Sequence, residues 1–208
     1  MIVTQIKKQK KNPSRYSIFL DGEFAFGLYD DTILKYGLKS GDNLASNLIE
    51  KIRIEDELIF GKRIIYKYLS RRARTIKEVE TKLTQLEVSR KTVNEVIDYF
   101  LETGYLNDVK FTKEFIETKI RRKPTGSKLI QIKLKQKGVK EETIDEVIGE
   151  VYTQNQELEK ALEAAQKYIS RNRAIAADNF TMQSRLYRYL VSRGFQSDTI
   201  LEVIKEFN

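Results

Sequence analysis

The chain has 208 residues, 40% hydrophobic and 33% charged, with a formal net charge of +8 and neither Cys nor His. That balance supports globular packing with much solvated surface per core, which favours small or elongated modules over one sphere. The missing residue types exclude disulfides, thiolate chemistry and imidazole as ligand or general base, and the positive charge biases the chain toward polyanions, nucleic acid foremost.

The first residues lack the apolar stretch of a signal peptide, and no run approaches the roughly 18–20 apolar residues of a membrane span. A soluble, cytoplasmic protein is expected. SIFLDGEFAFGL (17–28) alternates apolar with small or polar residues around Asp21-Gly22, the mark of a two-residue type I′ hairpin. IVTQI (2–6) is a candidate third strand, and DDTILKYGL (30–38) suits a short helix closed by Gly37. LIEKIRIEDELIFGKRIIYKYLSRRAR (48–74) moves the chain into long helical periodicity, and from about residue 55 onward the chain reads as helical, with Pro124 the one proline inside it.

Three segments then repeat one pattern: LTQLEVSRKTVNEVI (83–97), LKQKGVKEETIDEVI (134–148) and LVSRGFQSDTILEVI (190–204). Leu83, Leu134 and Leu190 each lead to a β-branched residue and then Val-Ile, at offsets that set a helix ending near the Leu against a second amphipathic helix. Between them stand Glu87, Gly138 and Gly194, each followed by an apolar residue. Two copies fit a Schellman closure, and Glu87 predicts a strained or differently closed turn. Thr92–Glu95, Thr143–Glu146 and Thr199–Glu202 fit capping boxes, or the first turn of a helix that starts three residues earlier.

Upstream, the pairs Val79/Leu83, Ile130/Leu134 and Leu186/Leu190 mark a middle helix, preceded by aromatic-rich helices that run into basic residues. A lone unit of this size buries too little surface, whereas stacked neighbours share a core. The expected fold is mainly α: an elongated array of three tandem three-helix modules (55–107, 108–153, 154–208) after a small N-terminal domain with a β-hairpin (1–54).

Charge is polarised within each module. Nine Lys and Arg and no acid lie between residues 119 and 140, and five acids without a base follow up to residue 150. Helices one and two are basic and helix three is acidic. An acidic third helix would be repelled in a major groove, which argues against helix-turn-helix recognition of duplex sequence. The basic helices are suited instead to a phosphate backbone or an acidic protein surface, the plain alternative being a basic surface with no dedicated ligand. Tyr66, Tyr68, Phe115, Tyr168, Tyr187 and Tyr189 lie near these cations. Such rings can stack on unpaired bases, although at helical spacing most of them are expected in module cores.

Nothing in the chain resembles a catalytic constellation or a Gly-rich phosphate loop. Asp30-Asp31 and Glu55-Asp56-Glu57 are the tightest acidic clusters and are expected at helix starts and solvated faces, not as metal ligands. RRKPTGSK (121–128) reads as a turn between helices.

YLSRRARTIKEVETKL (68–83) and FLETGYLNDVKFTKEFI (100–116) combine an Arg-rich helix end with a Gly-Tyr-Leu-Asn-Asp turn and a Phe. Together they resemble the signature of the bacterial RecX regulatory family, and the modules and hairpin extend the likeness over essentially the whole chain. The resemblance implies a non-enzymatic modulator of the RecA recombinase that lies along the nucleoprotein filament and inhibits it, with affinity for single-stranded DNA. It brings no catalytic residue, metal or cofactor, and a monomer without membrane contact is expected. The candidate contact residues are Lys67, Arg71, Arg72, Arg74, Lys119, Arg121, Arg122, Lys123, Lys128, Lys133, Lys135, Arg171, Arg173, Arg185 and Arg188. The signature residues Gly104, Tyr105, Leu106, Asn107, Asp108 and Phe111 are expected to be structural.

Overall fold

The structure, a computed structural model, describes residues 1–172 and 179–207. Among the described residues, a three-stranded antiparallel sheet precedes ten helices, and no helix is long and apolar enough to cross a membrane. The chain forms two compact units: Met1–Ala73 with Val79–Leu106, and Arg74–Glu78 with Asn107–Asn208.

In the first unit, β1 (Val3–Lys8), β2 (Arg15–Leu20) and β3 (Glu23–Tyr29) pair in chain order. The hairpin turns at Asp21 and Gly22 with φ of 51° and 90°, the double positive φ that a type I′ turn needs and that Asp-Gly tolerates. The short helix α1 (Asp30–Tyr36) ends on Gly37 in the left-handed region. Val3, Ile18, Leu28 and Ile52 bury one face of the sheet against α2 (Ser46–Leu69) and its approach.

That helix begins at Ser46, close to the Leu48 onset of the helical periodicity, and Leu48, Ile49 and Ile52 in its first turns belong to the sheet's core. It runs without a break across residues 54 and 55. Its far half packs with α3 (Ile76–Thr84) and α4 (Arg90–Glu102), burying Ile65, Val79, Leu83, Val93, Val96 and Phe100. Gly61 is required where α2 meets α4, since a Cβ there would approach Val96 Cγ2 to 2.9 Å.

The second unit contains α5 (Asp108–Arg122), α6 (Ser127–Gln136) and α7 (Glu141–Val151), followed by α8 (Gln154–Arg171), α9 (Asn179–Ser192) and α10 (Ser197–Glu206). Each triplet has its own core: Ile116, Ile130, Leu134, Ile144 and Val147 in one, Ala161, Leu186, Leu190, Ile200 and Val203 in the other. The repeated apolar positions are therefore the positions that pack.

The turn before each third helix closes alike in all three modules. The amides of Val88, Val139 and Phe195 donate to the carbonyls of Leu83, Leu134 and Leu190 at 3.2–3.3 Å. Glu87, Gly138 and Gly194 all take positive φ (58°, 76° and 80°), so Glu87 is strained but not differently closed. The helices then begin after Ser89, Lys140 and Gln196, three residues before the threonines, which puts Thr92, Thr143 and Thr199 in the first turn.

Candidate nucleic-acid interface

The C-terminal turns of α2 carry cations beside rings. Lys62 Nζ lies 3.8 Å from the centre of the Tyr99 ring, and the Tyr99 and Tyr66 hydroxyls share a 2.7 Å hydrogen bond. That bond, the first cause, together with burial and the neighbouring phenols Tyr99 and Tyr105, pushes the Tyr66 pKa up to about 12. Tyr66 also meets Phe100 and Tyr105 edge to face, with centroids at 4.8 and 5.5 Å. Lys67 sits in the last turn of α2, where a cation complements the helix dipole. Arg71 and Arg72 are exposed just beyond it, and Arg72 Nη1 donates to the Ala73 carbonyl at 2.9 Å. Arg74 is half-buried and belongs to the second unit.

In the second unit, α5 presents Phe111, Phe115 and Lys119 at successive four-residue spacings. The two phenyl rings stack at 6.0 Å, and Lys119 Nζ is 5.1 Å from the Phe115 centroid. Lys137, beyond the end of α6, reaches the same stripe, 5.8 Å from the Phe111 ring, while pairing with Glu78 at 3.3 Å. Burial pushes the Lys119 pKa down, and the charges of Lys133, Arg122 and Lys137 push it further. Those four cations therefore share one patch. Among the described residues, Lys119, Arg121, Arg122, Lys123, Lys128 and Lys133 have no carboxylate within 4.0 Å, whereas Lys135 pairs with Glu141 at 2.5 Å.

Arg171 ends α8, and Arg185 and Arg188 stand exposed on α9. Arg173 lies outside the described residues. Phe115, Tyr168 and Tyr189 pack against the cores of their modules, the last two stacked at 4.5 Å, and Tyr68 is half-buried. Tyr66 and Tyr187 remain exposed.

The signature residues divide by role. Gly104 takes φ 72°, Leu106 and Phe111 are buried, and Asn107 caps α5 by accepting the Lys110 amide at 2.9 Å. Asp108 accepts the Ile76 amide at 3.0 Å; burial raises its pKa against that bond, and Glu78 adds to the rise. Tyr105 is the exposed member, at 61%, with its ring edge to face against Tyr66 and Phe100.

The acidic clusters are structural, and one is less solvated than expected. Asp56 is buried and accepts the Tyr29 amide at 2.6 Å and the Thr32 hydroxyl at 2.7 Å, while Asp30 and Asp31 both hold Arg63 at 2.7 Å. Glu57 accepts the Ser89 amide and the Ser89 and Thr92 hydroxyls. Burial raises its pKa, but those hydrogen bonds outweigh burial and leave it lowered. Glu57 and Asp108 each stand 26 residues before their repeated Leu, Leu83 and Leu134, and Glu157 stands 33 before Leu190. Glu157 accepts the amides of Ser127 and Gln196, both at 3.1 Å. Each acid thus satisfies orphan amides at a helix start. Their spacing of roughly fifty residues was the available signal, hidden because the Leu-to-Ile repeat begins well after each acid.

The sequence matches four family descriptions: Regulatory protein RecX N-terminal domain over residues 1–45, and the first, second and third three-helix domains of RecX over 62–100, 107–148 and 155–204. It is 31% identical over 204 residues to Regulatory protein RecX of Clostridium botulinum (strain Alaska E43 / Type E3), covering 98% of this chain and 95% of that relative. To Regulatory protein RecX of Staphylococcus aureus (strain Newman) it is 32% identical over 206 residues, covering 99% and 74%. Among solved structures it superposes on a crystal structure of regulatory protein RecX with a TM-score of 0.76 and 25% identity, covering 99% of this chain and 98% of the other. With RecX from Lactobacillus salivarius the TM-score is 0.69 at 26% identity, covering 74% and 97%.

Proposed function

The chain belongs to the RecX family of regulatory proteins, and from that membership we propose that it is a non-enzymatic, monomeric regulator of the RecA recombinase. It binds along the RecA–DNA filament in the cytoplasm and inhibits the filament's work in recombination and DNA repair. Three similar modules suit a partner built of repeating protomers, since weak contacts at several protomers combine through high effective concentration.

The observation that supports the DNA contact is the crowding of Lys119, Arg122, Lys133 and Lys137, whose charges add to burial in lowering the Lys119 pKa, while no described carboxylate neutralises Lys119, Arg122 or Lys133. Phosphates placed there relieve the repulsion and release counterions. The test is RecA-catalysed ATP hydrolysis and strand exchange with and without the protein. Both fall if the reading holds, and no change in either at stoichiometric protein removes it.

The exposed Tyr66 and Tyr105 rings, with Lys62 over the neighbouring Tyr99 ring and Arg71 and Arg72 exposed just past α2, favour a second reading, a sequence-independent binder of single-stranded nucleic acid that acts without the recombinase. Direct binding that falls steeply with salt, in a protein with no effect on the filament, distinguishes it.

A further inference from the structure

Tyr66, Leu69, Ser70, Ala73 and Tyr105 line a recess of about 240 Å³ within the first unit. The Tyr66 and Tyr105 rings meet at 84°, forming a corner in which one ring offers its edge to the other. Both are exposed, Tyr66 to 39% and Tyr105 to 61%, although each ring has an apolar body that packing normally covers. The Tyr66 hydroxyl is already engaged by Tyr99, whose ring is covered by Lys62. What the recess offers a ligand is therefore ring surface with small apolar walls.

The volume lies below the roughly 300–1,000 Å³ of pockets for drug-sized ligands, which suits one flat ring. The rim decides which kind of ring. Arg72 donates to the carbonyl of Ala73, a wall residue, which sets one guanidinium at the edge of the recess, and Arg71 is exposed one residue earlier in the chain. A flat ring joined to anions is a nucleotide.

We propose that Tyr66 and Tyr105 seat one unpaired base of single-stranded nucleic acid, with Arg71 and Arg72 meeting the adjoining phosphates. The assignment deepens the nucleic-acid contact proposed above and rests on it. A peptide aromatic side chain is the competing occupant, and the cationic rim argues against it.

The test compares binding of the full chain to a short thymidine oligonucleotide and to an abasic oligonucleotide of equal length. Wild type prefers the thymidine strand, and base contact quenches tyrosine emission, which is readable because the chain has no Trp. Replacing the exposed ring in Tyr105→Ala weakens thymidine binding about five- to a hundredfold and abolishes the preference. Binding of the abasic strand and the salt dependence stay unchanged, and Tyr105→Phe retains the preference. Circular dichroism verifies folding of each variant. Equal thymidine binding by wild type, Tyr105→Ala and a folded Tyr66→Ala overturns the base seat while leaving the phosphate contact intact. Absence of binding to either strand at low salt overturns both.

Discussion

Gly126 and Gly194 meet backbone to backbone inside the second unit. The Gly126 amide donates to the Arg193 carbonyl at 2.9 Å and the Lys128 amide to the Gly194 carbonyl at 3.0 Å. A Cβ on Gly126 would fall within 3.0 Å of the Gly194 carbonyl group. The Arg193 guanidinium completes the joint by donating to the Pro124 carbonyl. Thr75 and Gly138 repeat the arrangement: the Thr75 hydroxyl donates to the Lys137 carbonyl at 2.7 Å, and Gly138 lies against Lys77. The turn of one module is thus pressed against the start of a preceding middle helix, and glycine is needed for the approach as well as for positive φ. Glu87 is exposed, so there only the φ penalty remains.

Gly194→Ala is expected to lose about 1–3 kcal/mol from backbone strain alone, with the overlap on Leu129 adding to it. Glu87→Gly relieves an unfavourable left-handed residue of roughly 1–2 kcal/mol, partly offset by glycine's unfolded-state entropy. The measurement is the urea midpoint at constant m, which falls for the first variant and is unchanged or higher for the second.

Glu57 and Asp108, equivalent in the repeat, respond oppositely to acid. The folded pKa of Glu57 is lowered from 4.5, so its stabilisation is present above 4.5 and is lost as pH falls through the folded value. That of Asp108 is raised from 3.8, so its contribution is full below 3.8 and is lost as pH rises through the folded value. In urea titrations across acid pH, Glu57→Gln flattens the loss of stability on acidification. Asp108→Asn steepens the gain as pH rises above about 4.

Tyr66 holds its proton because its hydroxyl shares a hydrogen bond with Tyr99. Tyr99→Phe removes that bond, and the Tyr66 pKa should fall from about 12 toward the ordinary 10.0. The ultraviolet absorbance of phenolate across alkaline pH reports it as one fewer tyrosine ionising at the high-pH end.

Cations of the α5–α6 patch should differ according to their partners. Lys119→Ala and Lys133→Ala each reduce the slope of log affinity against log salt for single-stranded DNA by about 0.7. Lys135→Ala, whose ammonium is engaged by Glu141, changes the slope less. Binding isotherms at several salt concentrations separate the two classes.

The hairpin, the short helix and the three modules were legible because each rests on local rules: Asp21-Gly22 for the turn, Gly37 for the stop, and repeated Leu and Val-Ile positions for the cores. The helical run from Leu48 was legible as well, but that Leu48, Ile49 and Ile52 pack on the sheet is a tertiary demand that periodicity does not report. The exposure of Tyr105 was not legible either, since whether a ring faces core or water depends on the turn geometry around Gly104. The cationic residues were visible as a run. That Lys119, Arg122, Lys133 and Lys137 share one patch, while Lys135 turns to Glu141, emerges only when α5 packs beside α6.

The most direct measurement of the central claim is filament length as the protein is titrated into RecA assembled on single-stranded DNA. Inhibition along the filament predicts progressive shortening with a parallel loss of ATP hydrolysis. Filaments of unchanged length and activity at one protein per RecA protomer would contradict it.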